Sequence, residues 1–294
     1  MDEKHRIEQG YRCPAFHRPT HTPPHKNLKI ISYSFEKFIA FIQSKFDFKI
    51  AIPQPYKLCD FRPAYGYIFA EYLAQYDFWG HCDNDVIFGN IRKFITDEIL
   101  NNYERILIRG HFTLYKNTPN VNNFYLKAIN GIPGYREVFS SPKNYCFDEY
   151  AGSGKMWERE SNDKLYQAIL FDDLNINRHD FVAVHKKDRD KGKKHFIYSF
   201  ENGNLFRIFT KDGQVGREEI MYVHFQKRNL KIETSVSDYF TIIPNRYIDY
   251  IADPSSDFLK SKASGKFIYP QYFLRKYNAL KKRIKILRFN LNNK

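Results

Sequence analysis

The chain has no uninterrupted apolar run of about 18 residues, the shortest length that crosses a bilayer as a helix. Its N-terminus shows no apolar signal-peptide core. Cysteine is scarce, with Cys13, Cys59, Cys82 and Cys146 widely scattered and without metal-finger spacing. These features predict free thiols in a reducing cytoplasm. Internal repeats and low-complexity linkers are absent as well. Acid is missing from Phe258 to Lys294, where eleven Lys or Arg residues lie. The remaining 36 of the 47 bases face all 33 acids in residues 1–257, so that body is close to neutral despite a net charge of +14. A basic face spread over the whole fold is thereby excluded, and with it nucleic acid as the expected partner.

What is present is aromatic. Phe, Tyr and Trp make up 17% of the 294 residues, enough for large apolar contacts and sugar-stacking surfaces. Residues 1–27 read as an atypical, disordered leader, with His5, His17, His21 and His25 set among Pro14, Pro19, Pro23 and Pro24. Order is expected from residue 28, and residues 28–257 are expected to form one domain. Leu28–Tyr33 predicts a strand, and from Ser34 onward Phe35, Phe38, Ile39, Ile42 and Phe46 share a helical face. A second helix is predicted from Pro63, a third over Ile91–Leu100, and a strand over Arg105–Ile108. Alternating strands and helices predict an α/β fold built on a mostly parallel sheet flanked by helices. Later, Leu205–Thr210 and Glu219–Phe225 predict a β-hairpin turned by Lys211-Asp212-Gly213. Residues 258–294 predict a basic amphipathic helix suited to an anionic membrane surface.

The chemistry concentrates at Asp83-Asn84-Asp85, which closes the apolar run Tyr76-Asp77-Phe78-Trp79-Gly80-His81-Cys82. Side chains alternate along extended backbone, so Asp83 and Asp85 can point the same way. Two hard oxygen ligands suit Mg²⁺ or Mn²⁺, which can also hold a diphosphate.

Lys57-Leu58-Cys59-Asp60-Phe61-Arg62-Pro63-Ala64-Tyr65-Gly66, followed by Asp77–Asp85, resembles the bacterial capsule and cell-surface glycosyltransferases of GT-A fold, galactosyltransferase-like proteins among them. The likeness runs on through Gly110–Asn117, Phe147-Asp148-Glu149-Tyr150 and His224-Phe225-Gln226-Lys227-Arg228. It implies a Mn²⁺- or Mg²⁺-dependent transfer from a nucleotide-sugar, a UDP-sugar above all, to a surface glycan or lipid-linked acceptor. It implies Asp83, Asp85 and His224 as metal ligands. Lys57, Arg62, Asp83, Lys227 and Arg228 are implied at the donor, with His111 and Asn117 at sugar hydroxyls. Asp148 and Glu149 are the implied catalytic carboxylates, one of which would deprotonate the acceptor or stabilise an oxocarbenium-like centre. With the basic tail, the implied location is cytoplasmic and peripheral at the inner membrane face. The resemblance starts near residue 28, so the strand and helix that open a GT-A domain are expected to be absent or replaced. Two other readings keep the same carboxylates: a non-catalytic remnant, and a metal-dependent phosphoryl-processing enzyme.

Overall fold

Ser34 starts the first helix, Phe35–Gln43, by accepting the Lys37 N–H at 3.3 Å. Ile42 is its fully buried residue, on the face the sequence pattern predicts. The computed structural model describes residues 29–184, 188–235, 237–265, and 273, 276, 277, 280 and 281. The leader over 1–27 and most of the basic tail lie outside the described residues. Two compact units divide the chain, one formed by the described residues up to Val86 with Arg92–Ile169, the other by Ile87–Ile91 and the residues from Leu170. The sequence expectation of a single domain over 28–257 therefore spans parts of both units.

In unit 1 the segment before the first helix is not a strand. Residues 29–33 have no regular structure, and Ile30 is 74% exposed, because no neighbouring strand pairs with them. Pro63 likewise does not open an α-helix. It lies inside a 3₁₀ helix, Pro55–Ala64, and α-helix begins only at Tyr65. A proline disfavours α backbone in the residue before it and lacks its own N–H, which suits the tighter, shorter turn. The predicted helix over 91–100 is two short ones, Ile91–Phe94 and Asp97–Asn102, the second capped by the Thr96 hydroxyl.

The strands of unit 1 begin with β1 (Phe78–Cys82). The chain then enters β2 (Val86–Phe88), whose last two residues belong to unit 2, and returns for β3 (Arg105–Arg109), β4 (Phe112–Lys116) and β5 (Leu165–Tyr166). Their order is β1-β4-β3-β5, with β1/β4 and β3/β4 antiparallel and only β3/β5 parallel. This corrects the mostly parallel expectation. Two residues, Gly110 and His111, join β3 to β4, and so short a link permits a hairpin but no crossover. Leu107 takes a left-handed φ of 63° where the register shifts between Ile106 and Arg109, a bulge in the strand that leads to this turn. Stacked pairs fill the core beneath: Trp79 on Tyr115 at 4.4 Å, Phe61 on Phe139 at 4.2 Å, and Phe124 on Trp157 at 4.0 Å. Each such pair adds about 1 kcal/mol beyond its area burial.

Unit 2 contains β6 (Phe171–Asp173), β7 (Lys193–Glu201), β8 (Asn204–Lys211), β9 (Gln214–Ile220), β10 (Tyr222–His224), β11 (Lys231–Ile232), β12 (Tyr239–Ile243) and β13 (Arg246–Ile248). Six form a sheet in the order β11-β13-β12-β7-β8-β9. The predicted hairpin is β8–β9, turned at Asp212-Gly213 with φ of 50° and 82°. Both positive angles match the primed turn whose twist suits a hairpin. Its second strand ends at Ile220, however, and not at residue 225. The chain steps at Met221 into β10, which pairs in parallel with β6 in a second sheet of order β2-β10-β6. The helix Ser256–Ala263, where the expected tail begins, packs Leu259 and Ala263 against Ile197, Ile208 and Ile243. The described residues are thus mixed α/β with more antiparallel than parallel pairing, and none of their helices is long and apolar enough to cross a membrane.

Candidate active site

The hairpin turn of β3–β4 organises a polar cluster in unit 1. Register pairs Cys82 with Phe112, and the Asp83 N–H continues the ladder to the His111 carbonyl at 3.1 Å. Asp83 therefore stands opposite the turn. A carboxylate oxygen of Asp83 and one of Asp85 lie within 4.8 Å of each other, brought together by a bend at Asn84-Asp85 and not by the alternation of an extended strand.

Arg62 reaches this point from the 3₁₀ segment. Its Nη2 contacts Asp83 Oδ1 at 2.5 Å, and its Nη1 donates to the Gly110 carbonyl at 2.8 Å and to Asp148 Oδ2 at 3.0 Å. The Gly110 N–H in turn donates to Glu149 Oε1 at 3.2 Å. Gly110 is thus held on both sides, its carbonyl by a guanidinium and its N–H by a carboxylate. Position 110 must be glycine, since a Cβ there would lie 2.5 Å from Glu149 Oε1 and 2.9 Å from Asp148 Oδ2.

Asp148 and Glu149 are presented by a tight turn ahead of the helix Ser153–Glu160. Ser153 N–H donates to the Phe147 carbonyl at 2.6 Å, and Gly154 N–H to that of Glu149 at 2.9 Å. A Cβ at Gly152 would come within 2.4 Å of the Phe147 carbonyl oxygen, so this turn also depends on glycine. Behind it Arg105, fully buried, donates to Ser153 Oγ at 2.8 Å and to the carbonyls of Leu107 and Asp148.

These surroundings move the titrating groups. Burial pushes the Asp148 carboxyl up to about 7, with Arg62 pulling against it and Glu149 adding to it. Burial also raises Glu149, opposed by the Gly110 N–H. Arg62 stays charged, because the carboxylates of Asp83 and Asp148 outweigh its own desolvation. Burial carries the neighbouring Cys59 thiol and Tyr56 hydroxyl up to about 12 each, so neither ionises near neutrality. His81 is held neutral, by burial first and then by Arg62 and Arg105. The cluster offers an ionic clamp, two converging carboxylates of the kind a hard divalent cation takes, and a partly open carboxylate, Glu149.

Several residues that the resemblance assigns to ligands have other work. Lys57 is 0% exposed, and its ammonium donates to Asp60 Oδ2 at 2.8 Å, the Val138 carbonyl at 2.8 Å and the Lys143 carbonyl at 2.5 Å. Its three donors are used, and none is left for a phosphate. Asn117 donates to the carbonyls of Leu73 and Tyr76 and accepts from Asn122, so it ties a turn together and has no donor over for a sugar. Arg228, 6% exposed, donates to the carbonyls of Asn175, His179 and Asp180 and anchors that loop of unit 2. His111 is buried in the hairpin turn, and Lys227 is exposed at a left-handed φ of 63°.

His224 belongs to unit 2 and ends β10 as predicted. Its Nδ1 lies 2.8 Å from Asp173 Oδ1, which also accepts from Gln226 at 2.7 Å. Asp173, which no sequence motif above includes, fixes the His224 ring. Ile169-Leu170-Phe171 before Asp172-Asp173 repeats the apolar-run-to-acid pattern of Asp83, but in sequence it reads equally as the polar end of a buried segment. Asp172 is structural, bonded by Arg189, Arg207 and Tyr198.

No curated protein and no solved structure matches the chain. A family model does match residues 17–251, and by that extent the chain belongs to the family described as a family of unknown function (DUF6625).

Proposed function

We propose that the protein is an altered GT-A-type glycosyltransferase. It moves a sugar from a nucleotide-sugar, a UDP-sugar in the first instance, to a surface glycan or lipid-linked acceptor, at the inner face of the membrane. The observation that carries this reading is the convergence, at one hairpin turn, of the Asp83–Asp85 pair with Asp148 and Glu149 through Arg62. The donor set fits Mn²⁺ or Mg²⁺ in ligand type and spacing, two carboxylates with oxygens within 4.8 Å. Asp83 and Asp85 would hold the ion, which supplies positive charge for the leaving diphosphate.

The two carboxylates divide their roles, one positioning and one catalytic. Asp148, 3% exposed, grips Arg62 and orients it. Glu149 is the more open of the two and takes the acceptor proton. The acceptor oxygen forms its bond to the anomeric carbon, the bond from that carbon to the phosphate oxygen breaks, and the hydroxyl proton passes to Glu149. The nucleoside diphosphate leaves with the electron pair. Base catalysis of this kind is worth about 10²–10⁴ in rate. Arg62 keeps a fixed cation beside the carboxylates and limits their mutual repulsion.

Calorimetry with a panel of nucleotide-sugars, with and without Mn²⁺, tests the reading. Saturable binding of one donor that requires Mn²⁺ is expected. No binding across the panel would favour the non-catalytic remnant, and Mn²⁺-dependent cleavage of phosphate esters without sugar transfer would favour the phosphoryl-processing enzyme.

A further inference from the structure

A basic groove of about 690 Å³ opens on unit 2, lined by Arg189, Lys191, Lys193, Phe209, Lys211 and Glu218, with Gly192 at its rim. Strand register explains how the cations gather. Lys193 of β7 stands directly opposite Lys211 of β8. Like charges facing across an antiparallel pair destabilise it unless an anion intervenes. Glu218, the one carboxylate in the groove, is already taken up by Arg207, whose Nη2 and Nε donate to it at 2.6 and 2.8 Å, and by Lys193. Lys193 also lies over the Phe209 ring at 4.5 Å, which fixes its position. Arg189 is bound to Asp172 and Asp190.

Lys191 and Lys211 differ from these. Both are exposed, and neither ammonium has an ion-pair partner among the described residues. They are brought close by Gly192, whose φ of +77° turns the chain into β7. A Cβ placed there would lie 3.7 Å from Lys211 Cε, so the Lys211 stem runs beside the turn that carries Lys191. The groove thus holds four cations and one carboxylate that is already neutralised, and two of the cations, both exposed, have no counter-charge among the described residues.

We propose that this groove is a binding site for a diphosphate-bearing anion. Lysine ammonium groups act as point charges toward phosphate oxygens, and two unpaired lysines beside two held cations match a multiply charged group better than a single carboxylate. Binding would supply a counter-charge to Lys191 and Lys211, and it would weaken with salt because the groove is open.

The test is titration of the full chain with inorganic pyrophosphate and with inorganic phosphate, in EDTA at low salt so that no cation links the anion to Asp83 and Asp85. Saturable binding is expected, tighter for pyrophosphate. The double variant Lys191→Glu, Lys211→Glu, both at exposed positions, is expected to bind pyrophosphate about tenfold more weakly or worse with an unchanged circular dichroism spectrum. Asp83→Asn is expected to bind as the wild type does, which separates this site from the sugar-transfer reading. Co-sedimentation with neutral phosphatidylcholine vesicles doped with a polyprenyl diphosphate, compared with the same vesicles undoped so that the basic tail does not dominate, then tells the source. A loss in the double variant identifies a lipid headgroup, and equal sedimentation identifies a soluble diphosphate compound. Unsaturable binding to the wild type, or equal pyrophosphate affinity in the double variant, overturns the proposal.

Discussion

Arg62 and Asp148, separated by 86 positions in the chain, meet at 3.0 Å, and the same guanidinium holds Asp83 at 2.5 Å. A single side chain therefore links the acid at the end of β1 with the carboxylates before the helix Ser153–Glu160. Its loss leaves Asp148 buried without its cation. Arg62→Ala is expected to destabilise the fold by about 3 kcal/mol. Urea melts at pH 8 check it, and a change under about 1 kcal/mol would show that the clamp contributes little.

Asp148 also sets a pH dependence. Its native carboxyl titrates near 7 against an ordinary value of 3.8. Between those values the native state keeps a proton that the unfolded chain has released, so stability falls as pH rises through that window. Below it both states are protonated, and above it the dependence flattens. The full effect is on the order of 4 kcal/mol, and Asp148→Asn is expected to remove most of it. Unfolding free energies from pH 4 to pH 8 on both proteins provide the comparison. Parallel curves would contradict the assignment.

Asp85→Asn is expected to abolish Mn²⁺-dependent binding or turnover of the nucleotide-sugar while the fold stays intact. Removing one carboxylate from a shared ion weakens both the ion and the diphosphate it holds. Undiminished Mn²⁺-dependent binding in a folded Asp85→Asn protein would exclude this mechanism.

Lys57 separates architecture from recognition. Lys57→Met leaves Asp60 buried without its ammonium, although Asp60 still accepts N–H groups from Tyr145 and Phe147. A cost of about 3 kcal/mol is expected. Donor affinity, measured below the melting transition, should not change. A selective loss of donor binding at unchanged stability would return Lys57 to the donor site.

The tail makes a prediction from charge alone. Residues 270–294 carry eight bases and no acid. At about 1 kcal/mol per base near an anionic surface, they should hold the protein on phosphatidylserine-rich vesicles at low salt and release it at high salt. Deleting 270–294 is expected to abolish co-sedimentation without changing the melting temperature of the remainder. Equal sedimentation of the truncated protein would remove the tail from this role.

The sequence by itself determined what depends on near neighbours. The Ser34 cap, the apolar face around Ile42, the Asp212-Gly213 turn and the arrival of Asp83 at a strand end follow from backbone sterics and local hydrogen bonds. Each of these involves residues only a few positions apart. The charge asymmetry needed no structure at all. Tertiary structure decided the rest. Alternation suggested parallel strands, but the two-residue link between β3 and β4 made them antiparallel. Lys57 and Arg62, both basic and five positions apart, read alike in sequence. One became a sealed structural cation bound to carbonyls more than 80 positions away, and the other became the clamp of the carboxylate cluster. Whether a charged side chain is buried, and against what, is a property of distant partners. Burial in turn moves the Asp148 proton to the neutral range, which no local pattern encodes.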